Sequence, residues 1–127
     1  MQHTMKNIYM SSEASGLPLS GAIEVDGTLY ISGQIHINEE TGELLGSTIE
    51  EKTHATMKNI EVLLHQAGYT FADVVQTHIY LPDLGNASKV NEVYASYFSH
   101  PMPTRAMLGV AALPLGADIE ITAIARK

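Results

Sequence analysis

The sequence predicts an α+β domain in which one mixed sheet carries two helices on a single face. Three observations predict this arrangement: a strong hairpin turn, two segments with the apolar spacing of amphipathic helices, and three further β-prone runs. Two helices can cover only one face of such a sheet, which leaves the other face for solvent or a partner. The 127 residues have room for one core, so we expect a single domain spanning residues 1–127.

The first predicted element is a hairpin formed by residues 22–25 and 28–32. Asp26-Gly27 lies between the two runs, and this pair is typical of the type I′ turn that joins antiparallel strands. Ser32-Gly33-Gln34 ends the second run, where a glycine indicates a bulge or a close approach of another group to the backbone. The polar residues 38–46 that follow predict a loop.

Two helices are predicted from apolar residues that recur three and four positions apart. Residues 48–67 form the first, because Thr48 and Glu51 fit a capping box and Gly68 suits the position after the last turn. Residues 87–98 form the second. The positions expected to face the core are Ile49, Thr53, Met57, Ile60, Leu64 and Ala67 in the first helix, and Val90, Val93, Tyr94, Tyr97 and Phe98 in the second.

Residues 73–81, 105–110 and 118–125 predict three more strands. In the last of these, Ile119, Ile121, Ala123 and Ala125 alternate with Asp118, Glu120, Thr122 and Ile124. The second set is half apolar, so we expect a homo-oligomer in which uncovered sheet faces meet. A solvated antiparallel face is the alternative.

The composition excludes several classes of protein. Acidic residues outnumber Lys and Arg by 14 to 7, and a net charge of −7 without a basic cluster argues against a nucleic-acid binder. The chain has no cysteine, which excludes disulfides, thiolate nucleophiles and cysteine zinc sites. No apolar run approaches the roughly 18 residues of a membrane span, and residues 1–10 lack a signal-peptide pattern, so we expect a cytoplasmic protein.

The histidines lack the spacing of metal ligands, so we expect no metal site and six surface side chains: His3, His36, His54, His65, His78 and His100.

Arg105 is the first candidate functional residue, because it begins a strand in a segment with no other charge before Asp118. Its guanidinium requires a planar anion, either a protein carboxylate such as Glu120 or a ligand carboxylate. Glu120 lies between two isoleucines and is either a desolvated acid–base group or an exposed glutamate.

Several separated motifs resemble those of the RidA family, also called YjgF, over about residues 18–125. They are Ile31-Ser32-Gly33-Gln34-Ile35, Val90-Asn91-Glu92-Val93-Tyr94, Pro103-Thr104-Arg105-Ala106, Gly109-Val110-Ala111, Leu113-Pro114 and Ile119-Glu120-Ile121. The resemblance implies a chorismate-mutase-like fold, a mixed sheet with two helices on one face. It also implies a homotrimer with a cleft at each subunit interface.

The implied activity is the hydrolysis of 2-aminoacrylate, 2-iminopropanoate, 2-iminobutanoate and related imines to 2-keto acids and ammonia, without cofactor or metal. Arg105 would bind the substrate carboxylate and Glu120 would orient water and move protons. Substrate-binding positions would be Ser32, Gly33, Asn91, Met107 (through its backbone) and Leu19. Many deaminating relatives have Pro-Tyr-Ser-Gln where this chain has Pro18-Leu19-Ser20-Gly21, so no tyrosine hydroxyl is present there. A non-catalytic binder of small carboxylates is the alternative function.

Overall fold

The computed structural model describes residues 6–9 and 18–127 and shows one six-stranded sheet with two α-helices. The order of its elements is β1 (Lys6–Tyr9), β2 (Ala22–Val25), β3 (Thr28–Ile35), α1 (Ile49–Gln66), β4 (Val74–Leu81), α2 (Ala87–Ala95), β5 (Thr104–Gly109) and β6 (Glu120–Arg126). The α+β class and the seven helices and strands after the first strand agree with the sequence prediction. Strand β1 was not predicted, because its four residues are short, mostly exposed and without apolar alternation.

The strands lie in the order β1-β2-β3-β6-β4-β5. All neighbours are antiparallel except β4 and β5, which are parallel and joined through α2. Strand β6 is therefore central, whereas β5 lies at an edge of the sheet. A register shift in β3 between Ile31 and Gln34 forms a bulge opposite β6, at the glycine for which the sequence predicted one.

Both helices pack on one face of the sheet, as predicted. The core includes Met57 and Ile60 of α1, Val90 and Tyr94 of α2, and Ile121 of β6. Strand β6 alternates strictly between buried and half-buried positions, so its second face carries Glu120, Thr122 and Ile124 as the sequence indicated. We call this second side the uncovered face.

The predicted helix boundaries are nearly correct. Thr48 caps α1 in a capping box with Glu51, and the helix ends at Gln66. Helix α2 ends at Ala95, three residues before the predicted end, because the amides of the next three residues bond to carbonyls three positions back and tighten the chain into a turn. Tyr97 and Phe98 still pack against the core as partly buried residues.

The expectation that the histidines lie on the surface is wrong for His36, which is 1% exposed. Both ring nitrogens form hydrogen bonds with backbone groups, the carbonyl of Leu45 and the amide of Asp118, and these bonds compensate for the loss of water on burial. His54, His65 and His100 are exposed and His78 is half-buried, whereas His3 lies outside the described residues. Within the described part of the chain, no helix is long and apolar enough to cross a bilayer.

Candidate active site

Arg105 lies on the helix-covered side of the edge strand β5, in register with Thr77 of β4. Its Nη1 donates a hydrogen bond to Oδ1 of Asn91 at 2.5 Å, and its guanidinium carbon lies 5.3 Å from the centre of the Tyr94 ring. These two α2 residues are three apart and share one helix face. They orient a guanidinium that remains exposed to solvent.

The tyrosine beneath Arg105 is itself held in place. Its hydroxyl is 2.7 Å from Oγ1 of the buried Thr77, and burial raises the pKa of Tyr94, so the ring stays neutral beneath the cation. A neutral aromatic face stabilises a guanidinium without consuming its N–H groups. A cleft of about 240 Å³ opens at this point, lined by Asn91, Tyr94, Ala95, Met102, Pro103 and Arg105.

Glu120 is the first residue of β6 and lies on the uncovered face. It is half-buried, and among the described residues no group donates a hydrogen bond to its carboxylate. This desolvation raises the pKa of Glu120 above the ordinary 4.5. A carboxyl group with a raised pKa both accepts and donates protons closer to neutral pH, which suits it to acid–base catalysis.

The bulge of β3 lies directly beside Glu120. A Cβ at Gly33 would stand 2.8 Å from the Glu120 carboxyl carbon, so a larger residue at this position would require the Glu120 side chain to move. The neighbouring Ser32 is tied to the segment before β2, because its Oγ donates to the carbonyl of Ser20 at 2.7 Å and its amide donates to Gly21 at 2.9 Å. Ser32, Gly33 and Glu120 therefore form one cluster.

An apolar cleft adjoins this cluster. Its volume is about 240 Å³, and it is lined by Ser20, Ile23, Tyr30, Ile31 and Ser32. Leu19 directly precedes Ser20 in the chain and is 51% exposed, but it is not part of the cleft lining. Met107 points away from the uncovered face, with its side chain partly buried against the core, so only its backbone is available at the sheet edge.

Arg105 and Glu120 lie on opposite faces of the sheet. Arg105, Thr77 and Ala123 form one cross-strand row on the helix side, whereas Glu120 is in register with Tyr80 on the uncovered side. The alternative in which Arg105 pairs with Glu120 of the same chain is therefore wrong, because its nearest polar partner is Asn91. One chain therefore carries the guanidinium of Arg105 and the carboxylate of Glu120 on opposite sides of the sheet, and we call their surroundings the two half-sites.

Tyr94 was not predicted to lie at the candidate site, because its helical spacing predicted only a core position. The pair Asn91 and Tyr94, three residues apart and followed by Arg105 on the next strand, was the available signal. In residues 6–9 and 18–127, no three His, Asp or Glu side chains are grouped so as to hold a metal ion.

Comparison with known proteins places this site in context. Residues 11–127 match the family described as Endoribonuclease L-PSP. A RutC family protein of Saccharolobus solfataricus is 43% identical over 110 residues, covering 87% of each chain. The human 2-iminobutanoate/2-iminopropanoate deaminase is 39% identical over 127 residues, covering 98% of this chain and 93% of that protein. A Rid family protein of unknown function from Yersinia pestis superposes with a TM-score of 0.90 at 40% identity, covering 97% of this chain and all of the other.

Proposed function

Because the chain belongs to the Endoribonuclease L-PSP family, whose members are also known as RidA or YjgF proteins, we propose that it hydrolyses 2-imino acids to 2-keto acids and ammonia. The observation that carries this proposal is the exposed guanidinium of Arg105, fixed by Asn91 and Tyr94 yet free of any protein carboxylate among the described residues. Such a group binds a planar carboxylate through two parallel hydrogen bonds. A 2-imino acid offers that carboxylate next to its reactive carbon.

Glu120 supplies the acid–base step. As a carboxylate it accepts a proton from a water molecule while the water oxygen bonds to C2 of the protonated imine. The resulting carbinolamine then receives that proton on nitrogen. Ammonia leaves as the hydroxyl proton passes to solvent water and the C2–O bond becomes a carbonyl. The same side chain thus takes and returns one proton, which is favoured by a pKa nearer to neutrality than that of an ordinary glutamate. The hydrolysis consumes only water, so we propose that it requires no cofactor.

The two half-sites of one chain face away from each other, so we propose that the active site forms between two chains of a homotrimer. Arg105 of one chain would then meet Ser32, Gly33 and Glu120 of its neighbour. The exposed apolar groups of the uncovered face support this assembly, since Tyr30 is 50% and Leu108 is 44% exposed in a single chain. Closed cyclic assemblies repeat the same contact at each interface, and one such contact would complete each site.

Positioning is the main contribution expected of this site. Free imines already hydrolyse in water, so fixing the carboxylate and a water molecule in one geometry accelerates a reaction that needs little further activation. Asn91 supports the arrangement by restricting the guanidinium to one orientation. Ser32 and the backbone at Gly33 and Met107 are proposed to line the cleft around the imine.

The direct test generates 2-iminopropanoate and 2-iminobutanoate from the amino acids with an amino-acid oxidase, in the presence of semicarbazide. Semicarbazide competes for the imine, so an active protein lowers the rate of semicarbazone formation and raises the rate of keto-acid release. Arg105→Ala, which should abolish the effect, is the matched control. Binding of 2-keto acids without any acceleration would instead identify a non-catalytic carboxylate binder.

A further inference from the structure

His36, the residue directly after β3, has both ring nitrogens engaged inside the protein. Its Nδ1 lies 2.8 Å from the carbonyl oxygen of Leu45, and its Nε2 lies 3.0 Å from the amide nitrogen of Asp118. A carbonyl only accepts and an amide N–H only donates, so Nδ1 carries the hydrogen and Nε2 is bare. These two partners select a single tautomer of the ring. The family resemblance implied no role for His36.

The contact with Asp118 lies where the sheet ends. Glu120 is the first residue of β6, and the pairing of β6 with both neighbours begins there, opposite Ile35 of β3 and Tyr80 of β4. Ends of strands open more readily than their centres, because fewer hydrogen bonds hold them. The imidazole of His36 supplies the next hydrogen bond beyond Glu120, which continues the β3–β6 pairing through a side chain.

Asp118 also forms an ion pair with a residue of helix α1. Nζ of Lys52 in α1 forms an ion pair with Oδ2 of Asp118 at 2.5 Å. The side chain of Asp118 is thus held by Lys52, whereas its backbone is held by His36. Only the backbone bond acts directly on the chain that leads through residue 119 into Glu120.

We propose that His36 is a positioning residue for Glu120. The imidazole of His36 holds the start of β6, so that the carboxylate of Glu120 stays in the space left by Gly33. His36 is buried, forms no hydrogen bond with Glu120 and does not line either cleft, so we expect it to act through the backbone and not on the substrate. The inference rests on the proposed function for its kinetic consequence. Its structural consequence, the placement of the Glu120 carboxylate, can be measured without any activity.

Two substitutions separate the two hydrogen bonds of the ring. His36→Gln places an amide oxygen near the Nε2 position and keeps an acceptor for the Asp118 amide. His36→Asn places an amide NH₂ near the Nδ1 position and keeps only the donor to Leu45. Each variant loses one of the two hydrogen bonds of the ring, and thermal unfolding measures the stability that each one loses. His65→Asn, at an exposed position of α1, is the neutral control.

We expect His36→Asn to lower kcat for imine hydrolysis by about 10-fold to 100-fold with KM nearly unchanged, since a small misplacement of a reacting group costs that much. His36→Gln should retain nearly the whole kcat. The second measurement is the titration of the Glu120 side chain by carbon NMR, assigned with Glu120→Gln. In His36→Asn the midpoint should fall toward the ordinary value as the carboxylate becomes hydrated, whereas His36→Gln should keep the wild-type midpoint.

Equal loss of kcat in both variants, or an unchanged Glu120 titration in His36→Asn, would overturn the positioning role and leave His36 as a packing residue. Failure of the proposed function gives a different pattern. In that case the wild-type protein accelerates no imine hydrolysis, and the Glu120 titration of the two variants alone decides the inference about His36.

Discussion

Gly33 and Glu120 occupy one shared space on the uncovered face of the sheet. A Cβ at Gly33 would lie 2.8 Å from the carboxyl carbon of Glu120, much closer than two such carbons can approach. The bulge in β3 brings the glycine backbone to this point, and β6 presents its first side chain across it. The carboxylate is half-buried as a result, and this burial raises its pKa.

Gly33→Ala should therefore displace Glu120 and lower kcat by about 10-fold or more, because the acid–base group leaves its position. The accompanying loss of stability should be small, because the methyl group meets only the movable end of the Glu120 side chain. The added methyl group clashes with one named side chain, so the loss of stability should be smaller when Glu120 is already alanine. Thermal unfolding of the four proteins of this double-mutant cycle measures the coupling. Independent effects of the two substitutions would show that Glu120 moves aside without cost.

The sequence predicted part of this relationship between Gly33 and Glu120. A glycine between β-prone residues predicted a bulge or a close approach, and alternation in the last strand placed Glu120 opposite the core-facing isoleucines. The partner of the glycine could not be deduced, because the pairing of β3 with β6 joins residues almost ninety positions apart in the chain. Strand register over such separations depends on the whole sheet and not on local pattern.

The placement of Arg105 and Glu120 on opposite faces could not be predicted from the sequence for a similar reason. The start of β5 was predicted within one residue, yet the face that Arg105 occupies depends on its register with Thr77. A slip of one residue would have placed it on the same face of the sheet as Glu120. His36 was misjudged because isolated histidines are usually exposed, and the backbone groups that satisfy it lie at residues 45 and 118.

Glu120→Gln should stabilise the folded protein near neutral pH while abolishing most hydrolysis. Burial raises the pKa of Glu120 in the folded state above its unfolded value, so the stability linked to its protonation is complete below about pH 4.5 and is lost as pH rises through the folded pKa. Glutamine removes that loss because it carries no charge at any pH. The increase in Tm over wild type should therefore shrink as pH falls and vanish in acid. An increase that is independent of pH would exclude desolvation of Glu120 as its cause.

Arg105→Lys should lose most activity, nearly as much as Arg105→Ala. Lysine keeps the positive charge but presents no planar pair of N–H groups to a carboxylate and stacks less well on Tyr94. Both variants should melt near the wild-type temperature, because the side chain is exposed. Asn91→Ala should raise KM more modestly, since it frees the guanidinium without removing it. Steady-state kinetics with 2-iminobutanoate provides the comparison, and full activity in Arg105→Ala would contradict the carboxylate-binding role.

Mixing two inactive variants should restore activity if the half-sites meet between chains. A site needs Arg105 from one chain and Glu120 from its neighbour, so an Arg105→Ala chain and a Glu120→Gln chain together rebuild intact sites. With random exchange in a trimer, about one quarter of the interfaces should contain both native residues. Light scattering should first give about three times 13.8 kDa for each protein. A mixture of Arg105→Ala and Arg105→Lys is the control that cannot recover, and no recovery in the first mixture despite exchange would place the site within one chain.

Leu19→Tyr should shift substrate preference toward the smallest imines. Leucine offers apolar surface and no hydrogen bond, and it precedes the segment that lines the cleft formed with Ile23 and Tyr30. The wild-type protein should therefore favour imines derived from leucine or methionine over that derived from alanine. One neutral hydrogen bond contributes roughly 0.5–1.5 kcal/mol, so the tyrosine should change the ratio of kcat/KM for the two imines by about two-fold to twelve-fold. An effect of this size leaves catalysis intact while Arg105 holds the carboxylate. Leu19→Phe adds the ring without the hydroxyl, so it separates the effect of the hydrogen bond from the effect of the change in shape. If the ratio of kcat/KM for the two imines is unchanged in both variants, residue 19 does not face the substrate.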